Sequence, residues 1–139
     1  MARIEHNSQL NQVVVDLGQS LLQFVGEVSP WTPAAAAAAR ATLAESVKQQ
    51  QQHVDDIVQL LVDRGHTVDF GNYPAEFTDL HFLSLKALLP RIIASQQAIL
   101  VELDEAVHTC VDDAEAVALL NTVLAGERHI TAALQAVKL

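Results

Sequence analysis

The residues from Thr32 to Gly65 leave little choice of fold. Leu43, Val47, Gln50, Val54, Ile57 and Leu61 recur every three or four positions. That spacing puts them on one stripe of a long helix. Thr32 is placed to cap its start, with Pro33 at the first helical position. Gly65 is placed to end it in a left-handed conformation. A helix of about thirty residues spans roughly 45 Å. Five of the six stripe residues are apolar; the sixth is Gln50, and His53 lies one turn further on.

Three more helices follow from the same spacing. Ser8 to about Val28 reads as the first, with Leu10, Val14, Leu17, Leu21, Phe24 and Val28 on its seam and Asn7 or Ser8 as cap. The short link from Ser29 to Pro33 makes the first two helices antiparallel neighbours, with Trp31 expected to fold back over the bundle end. From His66 to Phe77 there is no helical period, and Gly71, Asn72 and Pro74 interrupt the segment. The stretch from Gly65 to Thr78 reaches roughly 45 Å when extended, so it can run the length of the bundle. The second and third helices are then parallel. Thr78 is the expected cap of the third helix, with Phe82, Leu85, Leu89, Ile92, Gln96, Ile99, Leu103 and Ala106 facing inward and a kink at Pro90. Asp112 is the expected cap of the fourth, with Glu115 reaching back. Leu120, Leu124, Glu127, Ile130 or Thr131, Leu134 and Val137 form its seam. Gly126, beside Glu127, implies that another helix packs closely there.

With 139 residues, half of them hydrophobic, the chain reads as one domain, 1–139, that buries a substantial core. A net charge of −9 disfavours a nucleic-acid surface and an anionic membrane as partners. One cysteine, Cys110, excludes an internal disulfide and fits a reducing compartment. No signal-peptide pattern is present, and the apolar run Ala34 to Ala39 is too short to span a bilayer. A cytoplasmic protein is expected.

Three seams carry a polar residue near mid-helix: Gln50, Gln96 and Glu127, with His53 one turn from Gln50. The first helix offers Ser20 near its seam, with Asp16 and Gln19 at its edge. A di-iron or di-manganese site at that level needs about four carboxylates and two histidines, because hard cations want anionic, bridging oxygens. Amides are neutral but both donate and accept, so Gln50, His53, Gln96 and Glu127 can instead form a buried hydrogen-bond layer. In that reading, Gln50→Leu should cost little. A single-metal site at His53 and Glu127 is the other reading. His129 lies about 200° around the helix from Glu127 and needs help from elsewhere to join it. His66 and His81, with Asp69 and Asp79 near, read as solvated loop residues. His108 and Cys110 lack a third partner for metal or thiolate chemistry. Phosphate-binding glycine loops, Cys-x-x-Cys pairs and nucleophile elbows are absent.

The chain resembles the ferritin-like superfamily, and more closely its short bacterial rubrerythrin-like members. The four helices, the long crossover, Gln50-x-x-His53 and Glu127-x-x-Ile130 carry the resemblance, as does Phe77-Thr78-Asp79-Leu80-His81-Phe82-Leu83-Ser84-Leu85 followed by Leu88-Leu89-Pro90. It implies an all-α, ferritin-like four-helix bundle with one long crossover between helices 2 and 3. Catalytic and iron-storing members use a full carboxylate set. Here Gln50 and Gln96 stand where two of those glutamates belong, and Ile130 stands for a histidine; only His53 and Glu127 remain in register.

The expected function is a non-catalytic structural or interaction module without a cofactor. It is expected to form a homodimer through the small residues Ala35, Ala36, Ala39 and Ala41. The alternative is an iron or manganese protein, binding or oxidoreductase, with an atypical site at His53 and Glu127. A carrier of a small apolar ligand is a third class.

Overall fold

The computed structural model describes residues 2–139, with side chains from Ile4 onward. The elements are all helical: α1 Ala2–Gly18, α2 Leu21–Val28, α3 Ala37–Asp63, α4 Leu85–Thr109 and α5 Ala114–Gln135, with 3-10 turns at Ala34–Ala36 and Ala75–Leu80. Contacts close a ring: α1 and α2 pack on α3, α3 on α5, α5 on α4, and α4 on α1 and α2. No helix among the described residues is long and apolar enough to cross a membrane.

The first helix is broken where one continuous helix was expected. Ser20 takes an extended conformation, and its side chain accepts the Gln23 N–H to start α2. A serine that bonds its local backbone in this way competes with helix continuation. Leu22 and Val25 are consequently fully buried, while Phe24 and Val28 are only partly so. Asn7 and Ser8 lie inside α1 rather than capping it. Ser29, at φ 47°, turns the chain out of α2.

Thr32 does not cap the long helix. Its hydroxyl donates to the Pro30 carbonyl at 3.2 Å, and a 3-10 turn leads into α3. Trp31 is 71% exposed and does not cover the bundle end. Gly65 ends α3 as expected, at φ 71°. The Gly65 N–H bonds Val62 O and the His66 N–H bonds Leu61 O, which satisfies the last carbonyls of the helix.

After Gly65 the chain lies along α1 and α2. Asn11 exchanges hydrogen bonds with the Asp69 backbone at 2.8 and 2.9 Å. Gln19 donates to Phe70 O. Tyr73 donates to Glu27 at 2.8 Å, and its ring meets Phe24 edge-on. Gly71, at φ 68°, sits where a Cβ would come within 2.8 Å of Val15. The segment returns to the end where α3 began, since the Leu85 N–H bonds Trp31 O at 3.2 Å. The starts of α3 and α4 therefore lie at the same end.

The start of α4 is six residues later than expected. Thr78 lies in a 3-10 turn, and Ser84 is the cap, accepting the Ala87 N–H. Phe82 is consequently 94% exposed rather than on the seam, and Leu88 rather than Leu89 is fully buried. On α5 the cap is Asp113, not Asp112, and Glu115 bonds Arg64 instead of the backbone.

The apolar interior falls into two clusters. Leu10, Leu17, Ile57, Leu61, Leu103 and Leu120 belong to one. Leu22, Leu43, Leu88, Ile92, Ile130 and Leu134 belong to the other. Along every helix the change from one to the other falls at a polar residue: Ser20, Gln50, Gln96 or Glu127.

Candidate functional site

Those four residues form one hydrogen-bonded layer across the bundle. Gln50, Gln96 and Glu127 have no exposed surface, and Ser20 and Gln23 are buried beside them. Ser20 Oγ donates to Gln50 Oε1 at 2.7 Å, and Gln23 Nε2 donates to the same oxygen at 3.1 Å. Gln50 Nε2 donates to Gln96 Oε1 at 3.0 Å and to Glu127 Oε1 at 2.7 Å. Gln96 Nε2 donates to Glu127 Oε1 at 3.1 Å. His53 Nδ1 meets the other carboxylate oxygen, Oε2, at 2.5 Å. With Glu127 ionised, that nitrogen must carry the hydrogen.

The bonds share one direction. They run from Ser20 and Gln23 through the two amides and end on Glu127, which accepts from three side chains. Both Gln50 N–H groups are used, so the amide points its positive edge at the centre of the bundle. The interior is low in dielectric, so each bond counts for more than it would in water and each broken one costs more.

His53 reaches Glu127 because Gly126 has no side chain. A Cβ at Gly126 would lie 2.5 Å from both Cε1 and Nε2 of His53. The ring occupies that space, which explains a glycine in mid-helix. Gly126→Ala should gain roughly 1 kcal/mol of helix propensity but displace the ring from a charge-assisted bond that contributes roughly 1.5–3 kcal/mol. A net loss of about 1 kcal/mol is expected by this reckoning. In a His53→Ala background the same substitution should stabilise instead. Urea unfolding of the four proteins measures that change of sign.

Other candidates from the sequence lie apart from the layer. Asp16 faces Glu102 on α4; burial and the Asp16 carboxyl push Glu102 up to about 7. His129 is exposed and away from Glu127's buried face. His66 is half-buried, and His81, Asp69 and Asp79 are exposed. His108 is exposed and bonds the Asp104 carbonyl. Cys110 is fully buried, and that burial pushes its thiol up, away from the reactive thiolate. Among the described residues no three His, Cys, Asp or Glu side chains gather in one metal-sized group.

A second polar cluster has no counterpart in the sequence reading. Arg64 ends α3 and grips Asp113 with two bonds of 2.8 Å. It also donates to Asn7 Oδ1 at 2.9 Å and Glu115 at 3.2 Å. His6 Nδ1 lies 3.3 Å from Asp113. The Arg64 and Asp113 side chains are only 4% and 3% exposed. The cluster pins α1, the end of α3 and the start of α5 together.

The Arg64 guanidinium holds the Asp113 carboxyl down to about 2. A free aspartate ionises near 4. The folded state therefore gains stability wherever Asp113 is ionised, in full above pH 4, and loses it as pH falls toward 2. Wild-type protein should lose about 2 kcal/mol more than Asp113→Asn between pH 5 and pH 2. Urea titrations at each pH give the comparison.

Comparison with protein-family models, with curated proteins and with solved structures returns no match for the chain.

Proposed function

We propose that this chain is a ferritin-like bundle whose central metal level has become a closed layer of neutral and singly charged side chains, and that it serves as a structural or interaction module rather than a catalyst. The observation that carries the reading is the orientation of Gln50. Its amide turns both N–H groups inward, toward Gln96 and Glu127, where a hard cation would need anionic oxygen. Glu127 is the single carboxylate of the layer, and three donors already occupy it. The donor set does not fit a pair of divalent ions. The connection running back along α1 and α2, and the common starting end of α3 and α4, support the ferritin-like arrangement.

The alanines of the 3-10 turn and of the first turns of α3 support a homodimer only in part. Ala35 and Ala41 are exposed, but Ala39 faces its own core.

Metal content is the direct test. Protein purified without chelator from iron- and manganese-supplemented cultures should carry well under one ion per chain, and its melting temperature should not move with added iron, manganese or zinc. About two ions per chain, lost in His53→Ala or Glu127→Ala, would overturn the proposal.

A further inference from the structure

Away from the polar layer, a groove runs along the start of α3. It has two adjoining lobes of about 370 and 460 Å³. Leu43 and Val47 help to line the first, Ala37 and Ala41 the second, and Arg40 and Ala44 border both. Lobes of this size match small-molecule sites. The first lobe has a specific origin: Gly26 lets α2 approach α3 so closely that a Cβ there would meet Val47 at 2.9 Å.

The charge of the groove is opposite to that of the protein. The chain carries seventeen acidic and eight basic residues, yet neither lobe is lined by an aspartate or glutamate. Arg40 is the one charged group lining both, and no ion pair or side-chain hydrogen bond engages it among the described residues. The first turn of α3 holds no acid either. An apolar trough with one uncommitted guanidinium is complementary to a molecule with an apolar tail and an anionic head. Guanidinium and carboxylate match in a planar, two-bond geometry.

We propose that this groove binds a single-chain amphiphile with a carboxylate head, the head on Arg40 and the tail in the apolar lobes. The site is independent of the central layer and stands whether or not that layer holds metal.

The chain reports on this site by itself. Trp31 is its one tryptophan, is 71% exposed, and sits between Pro30 and Thr32, both in the groove wall. Full-length protein is titrated with monomeric dodecanoate, with dodecanol and with phosphatidylglycerol vesicles, following Trp31 emission and binding heat. Dodecanoate should bind saturably, one per chain, below its micelle concentration and at least tenfold tighter than dodecanol. Arg40→Gln, at an exposed position, should abolish that preference for the acid. Ala44→Phe, which fills the groove, should weaken both ligands at least tenfold with the melting temperature retained. Absence of saturable dodecanoate binding, equal binding by Arg40→Gln, or binding to vesicles alone would overturn the proposal. A ligand-free dimer in sedimentation that excludes dodecanoate would overturn it too, by making a second copy the occupant.

Discussion

Gln50→Glu should be among the most damaging single substitutions in this chain, costing about 3–5 kcal/mol of folding stability in metal-free buffer at neutral pH. The wild-type amide donates to Glu127 at 2.7 Å and to Gln96 at 3.0 Å. A carboxylate there has no hydrogen to give. It would set two negative groups against each other at a position with no exposed surface, so one must take up a proton or admit water. Gln50→Leu removes the clash but not the loss of bonds. It leaves Ser20, Gln23, Gln96 and Glu127 each short of a partner, at roughly 2–3 kcal/mol. The near-neutral outcome expected from sequence does not survive this geometry, because Gln50 is the hub of the layer rather than one member of a pair. Urea unfolding at pH 7 should rank wild type above Gln50→Leu and Gln50→Leu above Gln50→Glu. A melting temperature raised by the glutamate without added metal would contradict the ranking.

Arg64→Leu should cost about as much, roughly 3–5 kcal/mol, at the far end of the bundle. It leaves Asp113 buried with the Ala116 N–H and His6 as its remaining partners. The penalty comes from the stranded carboxylate more than from the lost attraction, so Arg64→Leu with Asp113→Leu should recover most of it. Arg64→Lys should recover little, because an ammonium cannot repeat two parallel bonds of 2.8 Å while also reaching Asn7. Thermal and urea unfolding of the three variants decide between these outcomes. A double variant as unstable as Arg64→Leu alone would show that the pair contributes through packing instead.

The helices and the meeting of Gln50, Gln96 and Glu127 were legible because helical periodicity fixes which residues share a seam. Polar residues breaking three such seams at mid-helix pointed to one level of the bundle. Ser20 stood close to that level in sequence; Gln23 did not, since the break after Gly18 rotates α2 and brings it inward. The displaced caps at Ser84 and Asp113 share one cause. Several Ser, Thr and Asp residues could cap each helix, and tertiary packing selects among them. The Arg64 cluster was missed because charged residues at helix ends read as solvated. A signal existed, since Ile57, Leu61 and Arg64 continue the inward stripe of α3. The partners of Arg64 on α1 and α5 lie too far along the chain for local spacing to show them.

The occupant of the bundle centre, at the level of Gln50, Gln96 and Glu127, separates a structural module from a metal protein. Anomalous diffraction from crystals grown with manganese or iron addresses that point atom by atom. The expected map shows no anomalous peak at that level, with Gln50 Nε2 within hydrogen-bonding distance of both Gln96 and Glu127. Two peaks bridged by Glu127 and bound by His53, with the glutamine oxygens turned inward, would contradict it and make the chain a working metal protein.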